Sequence, residues 1–260
     1  MPNVVQVIVN ADDLGMSPEV NDATFELIGQ GKVTSATMLA NAPSIADACQ
    51  RIGNFSSCSF GVHLNITQFK PLTGPEGLRP LLSEDGMFSG YDRVRSGVRD
   101  SGLKNAVFSE FCAQIEACRS AGVEISHIDS HHHVHTILWI FPILKKVQKR
   151  FNIRRVRLTV NLYSPKDPAS VQIQIKKAAY NFLLRSYVKT ATTGAFADFQ
   201  TFYECATASV LKNKVIEAMV HPGNIEYEGS QEETDLLRTP WEDQLRIPIE
   251  LINYNNLPTR

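Results

Sequence analysis

Short apolar runs alternate with amphipathic stretches along most of the chain. The first run, Val4 to Val9, is nearly continuous and rich in β-branched residues, as in a strand buried on both faces. A helix is predicted after it, because Ser17 can cap its start, Pro18 suits its first turn, and apolar residues recur at helical spacing up to Gly29. Strands and helices that alternate in this way indicate a mostly parallel sheet.

The same alternation continues through the chain. Further strands are predicted at 33–39, 58–65, 123–128, 153–160, 196–202 and 218–220, and further helices at 44–52, 108–121, 140–149, 168–188, 210–217 and, bent at a proline, 241–252. Residues 66–105 interrupt the pattern, are rich in Gly and Pro, and predict a long loop or lid. We therefore expect one domain over residues 1–260, an α/β fold that forms an irregular, TIM-barrel-like (β/α) barrel of about seven parallel strands.

Polar side chains collect where the predicted strands end. Asp12 and Asp13 follow the first strand, His63 lies in the 58–65 strand, and His221 follows the last one. Alone, an Asp before Ser17 is more often a helix cap, His63 is more often a structural core histidine, and His221 is as often a turn residue as a functional one. Function is favoured because parallel strands bring their carboxyl ends to one edge, and because two adjacent carboxylates disfavour each other's ionisation unless a cation lies nearby.

The most informative stretch is His127-Ile-Asp-Ser-His-His-His-Val-His135, which holds five of the seven histidines. In an extended segment Asp129, His131 and His135 point to one side, and in a helical turn the two histidines are i and i+4 neighbours. Either backbone brings His131 and His135 together beside Asp129. A solvated loop or a metal-scavenging tract is the alternative, but clustered imidazoles next to a carboxylate favour a metal or acid–base site.

Composition narrows the range of partners. A formal net charge of -1 gives no electrostatic reason to expect nucleic acid or an acidic membrane. No apolar run approaches the length of a membrane span, and no Gly-rich phosphate loop follows the first strand. Because the 5 cysteines include no CxxC pair and no secretory signal precedes the first strand, we expect a cytoplasmic protein.

A series of short motifs carries a family resemblance from near residue 5 to about residue 252. They are Asn10-Ala-Asp-Asp-Leu-Gly15, Val33-Thr-Ser-Ala-Thr37, Gly61-Val-His-Leu-Asn65, Lys70-Pro-Leu72, the histidine-rich stretch and His221-Pro-Gly223. In this order they resemble the YdjC-type carbohydrate deacetylases, the family of chitooligosaccharide deacetylase and the hopanoid-biosynthesis deacetylase-like proteins. Leu14 and Asn224 depart from the family pattern, which has phenylalanine at the first position and often an aromatic residue at the second. Residues 66–105 and 160–200 match weakly.

The resemblance implies a barrel-like fold and one divalent metal ion held by Asp13, His63 and His131. It also implies that Asp12 is the catalytic base and His221 the proton donor. The reaction it implies is removal of an N-acetyl group from an acetylated amino sugar or oligosaccharide, with release of acetate. It further suggests a homodimer.

Other assignments stay open from the residues themselves. His135 is a rival ligand to His131, and Asp129, His135 and Arg157 are candidates for supporting the ligands or a catalytic carboxylate from behind. Two imidazoles suit zinc, cobalt or iron better than magnesium, whereas the resemblance implies that magnesium is often assigned. The competing interpretations are a barrel metallohydrolase acting on phosphate esters, which would need two metals and cationic clamps, and a sugar- or metal-binding protein without catalysis.

Overall fold

A parallel sheet forms the centre of the computed structural model, which describes residues 4–97, 100–212 and 214–259. Its seven strands in these ranges are β1 (Val5–Leu14), β2 (Ser35–Met38), β3 (Ser59–Leu64), β4 (Ile125–Ser130), β5 (Ala195–Asp198), β6 (Val215–Val220) and β7 (Ile249–Leu251). The order is β4-β3-β2-β1-β6-β5, β7 pairs with the start of β1, and every pair is parallel. The predicted α/β fold with a parallel sheet is confirmed.

The sheet curls so that its two edge strands, β4 and β5, are connected through an irregular segment. Residues 153–160 were predicted as a regular strand, which is wrong because they form only isolated bridges. The Arg157 amide donates to the Ile128 carbonyl in β4, and the Val156 amide donates to the Ala191 carbonyl just before β5 (both 3.1 Å). The result is the irregular (β/α) barrel that the sequence predicts.

Helices pack around this sheet, and the described ones are too short or too polar to cross a bilayer. They are α1 (Pro18–Gly29), α2 (Ile45–Arg51), α3 (Tyr91–Ser96), α4 (Ser101–Ser120), α5 (Phe141–Phe151), α6 (Val171–Ser186), α7 (Phe199–Thr207) and α8 (Ser230–Arg238). Helix α1 starts as predicted, since the Ser17 hydroxyl accepts a hydrogen bond from the Val20 amide at 3.3 Å. Residues 66–105, predicted as a loop or lid, contain α3 and the start of α4, and bury Leu81 and Phe88 in the core.

Near the C-terminus two predicted elements are wrong, and the strand predicted at 196–202 is confirmed only as far as Asp198. Residues 199–202 begin α7 rather than extend a strand, because the Asp198 carboxylate caps the helix by accepting from the Thr201 amide at 2.8 Å. The described residues of 210–217 contain no helix, and β6 starts within them. The bent helix predicted at 241–252 is a short 3-10 turn followed by β7.

Candidate active site and metal centre

The side chains singled out at the strand ends meet in one cavity of about 430 Å³ at the carboxyl edge of the sheet. Asp12 and Asp13 come from β1, His63 from β3, His131 follows β4 directly, and His221 follows β6. All five side chains are buried. Sequence order separates them by up to about two hundred residues, but the parallel sheet brings their strand ends together.

An irregularity in β1 allows both adjacent aspartates to face the cavity. Between Ala11 and Leu14, three residue steps in β1 are matched by two in β2, which inserts one extra residue. Asp13 takes a left-handed backbone conformation there, with φ 65°. In a regular strand Asp12 and Asp13 would point to opposite faces, so the bulge places both carboxylates in one site.

Asp13, His63 and His131 form a group that could hold a metal ion. The Asp13 Oδ1 atom lies 2.8 Å from His131 Nδ1 and 3.4 Å from His63 Nε2. The three ligand atoms lie within 4.8 Å of one another. These two contacts are short but lack the geometry of hydrogen bonds, so the buried Oδ1 atom has no hydrogen-bond partner in the described part of the chain. A carboxylate oxygen and two imidazole nitrogens that converge in this way fit Zn²⁺ or Co²⁺ and leave coordination positions for water and substrate.

Polar side chains hold two of these groups in orientation. His63 Nδ1 lies 2.6 Å from Asp129 Oδ1, so its Nε2 atom faces Asp13. The Thr37 hydroxyl donates to the other Asp129 oxygen at 3.0 Å. The Asn224 amide nitrogen donates to Asp13 Oδ2 at 2.9 Å, which leaves Oδ1 free for a cation. Asp129 thus contacts His63 on the ring nitrogen that faces away from Asp13.

His135, the alternative ligand, lies outside this group. The prediction that His131 and His135 lie side by side in one site is therefore wrong. After β4 the chain enters a kinked 3-10 segment in which His132 and His133 have φ of 50° and 53°, so neither the extended nor the helical geometry applies. The His135 ring turns away, with Nδ1 2.6 Å from the Ser130 hydroxyl. His135 is therefore buried beside β4 rather than in the cavity.

Protonation of His63 would compete with a cation for this group. Burial opposes a charge on this imidazole, but the Asp129 and Asp12 carboxylates outweigh it and raise the pKa of His63 to about 10. Below that pKa a bound cation must displace a proton. We therefore expect the apparent Zn²⁺ affinity to fall about tenfold for each pH unit of acidification across the neutral range. Calorimetric titrations at several pH values measure this, and a constant affinity would contradict it.

Asp12 lies in a fully buried ion-pair network. Arg157, with 0% of its surface exposed, donates to both Asp12 oxygens at 2.6 Å. It also reaches Asp129 at 2.8 Å and Glu217 at 2.7 Å, and the Tyr254 hydroxyl donates to Glu217. Burial opposes ionisation of Asp12, but Arg157 and His63 outweigh it and hold the pKa of Asp12 below its ordinary value. Asp12 is therefore a fixed, ionised carboxylate at the cavity wall.

His221 lines the same cavity as the two aspartates. Its Nε2 atom is 4.0 Å from Asp12 Oδ2, and its ring stacks on Tyr227 with centroids 3.7 Å apart. Its backbone amide donates to the Glu233 carboxylate at 2.7 Å. Burial lowers the pKa of His221, so its protonated form is a comparatively strong acid.

Several residues in or beside the site were not predicted from the sequence. Gln68 contacts His131 from the irregular segment after β3, and no periodic pattern marks it. Glu217 and Tyr254 complete the Arg157 network from distant elements. Of these three, only Glu217 could have been recognised in the sequence, because it is a single carboxylate in the otherwise apolar strand β6 and a buried charge needs a partner.

Comparisons with known proteins match most of the chain. The model of the family described as YdjC-like protein matches residues 6–248. A carbohydrate deacetylase from Listeria welshimeri is 30% identical over 225 residues, covering 85% of this chain and 83% of that protein. One from Geobacillus stearothermophilus is 36% identical over 152 residues, but this match covers 58% of the chain and 59% of the relative, less than two thirds of its length.

A solved structure supports the fold. A candidate cellobiose-phosphate cleavage protein from Enterococcus faecalis V583 superposes with a TM-score of 0.78 at 22% identity. The superposition covers 96% of this chain and 98% of that one. At this level of identity the likeness shows that the two chains share an architecture.

Proposed function

The chain belongs to the YdjC-like protein family, and from this premise we propose that it is a metal-dependent hydrolase that removes N-acetyl groups from amino sugars or oligosaccharides. The observation that carries the proposal is the convergence of Asp13, His63 and His131 beside Asp12 and His221 in one cavity. Relatives named carbohydrate deacetylases support the same reaction class.

The donor set suits one divalent ion, and zinc or cobalt fits two imidazoles and a carboxylate better than magnesium does. Such an ion, when bound, polarises the acetyl carbonyl and lowers the pKa of the attacking water. The protein's share is to hold Asp13 and His63 in fixed orientations through Asn224 and Asp129. This fixed geometry keeps the reorganisation needed during the reaction small.

Asp12 is the proton acceptor in the proposed reaction. Arg157 holds both of its oxygens, so the carboxylate is ionised and oriented before substrate arrives. The attacking water transfers a proton to Asp12 as its oxygen bonds to the acetyl carbon. Asp13 does not take this role, because its Oδ2 atom accepts from Asn224 and its Oδ1 atom is the proposed metal ligand.

His221 is the proton donor in the second half of the reaction. Its Nε2 atom faces the same cavity as Asp12, and Tyr227 fixes the plane of its ring by stacking. The carbon–nitrogen bond breaks as His221 Nε2 gives its proton to the departing nitrogen, which releases acetate and a free amine. His221 must take up this proton before the bond breaks, and its lowered pKa makes the protonated ring the stronger acid once it has done so.

The competing phosphoesterase interpretation finds less support in the cavity. Its described lining contains no lysine or arginine that could clamp a phosphate. Arg157 is fully buried and already bonded to three carboxylates. Asp12, His63 and Asp129 form a second group that could hold a metal ion. Arg157 already neutralises the two carboxylates of this group, so a second cation would compete with it.

Acetate release with and without metal tests the proposal. Chelator-stripped protein is expected to be inactive on N-acetylglucosamine and chitobiose, and reloading with Zn²⁺, Co²⁺ or Mg²⁺ is expected to restore release by orders of magnitude, because the carbonyl is then polarised. Enzymatic acetate detection measures it, with phosphate esters as the control panel. Protein that binds metal but releases no acetate from any N-acetylated sugar would contradict the proposal.

A further inference from the structure

Two loops meet over His131 at the rim of the cavity. Gln68, after β3, places its Oε1 atom 2.8 Å from His131 Nε2. The same side chain donates through its Nε2 atom to Glu226 Oε2 at 3.0 Å, in the loop after β6. One amide therefore connects a candidate metal ligand to a carboxylate on the opposite loop.

The chemistry of these contacts fixes their direction. The Glu226 carboxylate can only accept, so the amide nitrogen of Gln68 must face it and the amide oxygen must face His131. An amide oxygen accepts a hydrogen bond but cannot donate one, so His131 must keep its proton on Nε2. The nitrogen left for a cation is then Nδ1, which lies 2.8 Å from Asp13 Oδ1.

The backbone around both residues is held in place. The Asn65 side chain donates to the Gln68 carbonyl at 2.8 Å and accepts from the Gln68 amide at 3.2 Å. The Asn224 side chain accepts from the Glu226 amide at 2.9 Å while it donates to Asp13. The two loops thus orient one ligand each, Asn224 acting on Asp13 and Gln68 on His131.

We propose that Gln68 is a positioning residue that keeps His131 in its Nε2–H tautomer, and that Glu226 sets the orientation of Gln68. This assignment rests on the metal site of the proposed function. An exposed carboxylate–amide contact adds little stability, so the effect of Glu226 is on geometry. Loss of such a supporting contact typically weakens metal binding by about 10–100-fold.

Zn²⁺ titration of variants tests the proposal independently of turnover. Gln68→Leu keeps the side-chain size but removes both polar contacts, so its Zn²⁺ affinity is expected to fall about 10–100-fold with an unchanged unfolding midpoint of the metal-free protein. Gln68→Glu alone sets its carboxylate against that of Glu226, but combining it with Glu226→Gln reverses the donor and acceptor of this contact and still presents an acceptor to His131. This double variant is therefore expected to recover most of the loss. Glu226→Leu is expected to have a smaller effect, and Glu228→Leu, an exposed carboxylate on the same loop, none.

A second measurement reports the tautomer directly. Long-range ¹⁵N–¹H correlation spectra of histidine-labelled protein are expected to show Nε2–H at His131 in the wild type and a mixture of tautomers in metal-free Gln68→Leu. Wild-type affinity and an unchanged tautomer in Gln68→Leu would overturn the assignment and leave the proposed function intact. If the wild-type protein itself binds no Zn²⁺, both proposals fall.

Discussion

Replacement of Arg157 by methionine is expected to destabilise the fold by about 3–5 kcal/mol, because it leaves buried carboxylates without their cation. Arg157 is fully buried and bonded to Asp12, Asp129 and Glu217, each with a side chain at most 2% exposed. Methionine fills much of the same volume, so a cavity adds little to the effect. Urea unfolding of the metal-free proteins measures the difference in free energy of unfolding.

The loss at Arg157 is expected to depend on pH. Arg157 helps to hold the pKa of Asp12 below its ordinary value, so this carboxylate adds stability above its unfolded pKa, and that stability is lost as pH falls through the folded pKa. Arg157→Met lacks this stabilisation, so its loss in free energy of unfolding relative to the wild type is expected to be larger at neutral pH than in acid. An equal deficit throughout the range would show that packing, not charge, causes the loss.

A matched control lies two residues away. Arg155 is half-buried and donates to two backbone carbonyls, those of Leu257 at 2.9 Å and Asn255 at 3.1 Å. Arg155→Met removes these contacts without leaving a buried charge, so a loss of about 1–2 kcal/mol is expected. If both variants lost the same amount, the buried network would have no special energetic role.

The positions of the candidate site residues could be predicted in part, because the topology of the sheet fixes where the strands end. Once the strands are parallel, residues at their carboxyl ends must meet, which brings Asp12, His63 and His221 to one edge. The rule does not choose His131 from the histidine-rich stretch, which the family resemblance did, and it does not turn Asp13 to the same side as Asp12, which the bulge in β1 does. Their roles in catalysis stay proposals, as do cytoplasmic location and a homodimer. The most informative feature of the sequence was therefore the set of polar residues that directly follow apolar strands.

Contacts between distant loops could not be predicted, because they depend on side-chain directions that no local pattern encodes. Gln68 reaches His131 only because Asn65 holds the irregular backbone after β3. His135 was mispaired for a similar reason, since the left-handed kink at His132 and His133 removes the regular geometry that the pairing assumed. The strand predicted at 196–202 ends early because Asp198 caps α7, although the aromatic residues that follow it favour a strand.

Asp12→Asn is expected to lower kcat/KM for N-acetylated sugars by about 10²–10⁴-fold while the protein still binds metal. The amide matches the carboxylate in shape but cannot take the proton of the attacking water. Metal binding is expected to persist because the ligand group is Asp13, His63 and His131. Metal content and Zn²⁺ affinity, measured on the same samples as acetate release, separate the two effects.

Asp12→Asn also removes a charged partner of Arg157. Its control must therefore remove another charged partner of Arg157 while leaving the side chains that line the cavity unchanged. Glu217→Gln does so, since Glu217 accepts from Arg157 at 2.7 Å and from Tyr254 but does not line the site. We expect this variant to keep activity within about tenfold of the wild type, because the proton acceptor remains. If Glu217→Gln lost as much activity as Asp12→Asn, the intact network rather than proton transfer to Asp12 would account for the loss. If only Asp12→Asn is impaired and its metal remains bound, the carboxylate at this position is the base.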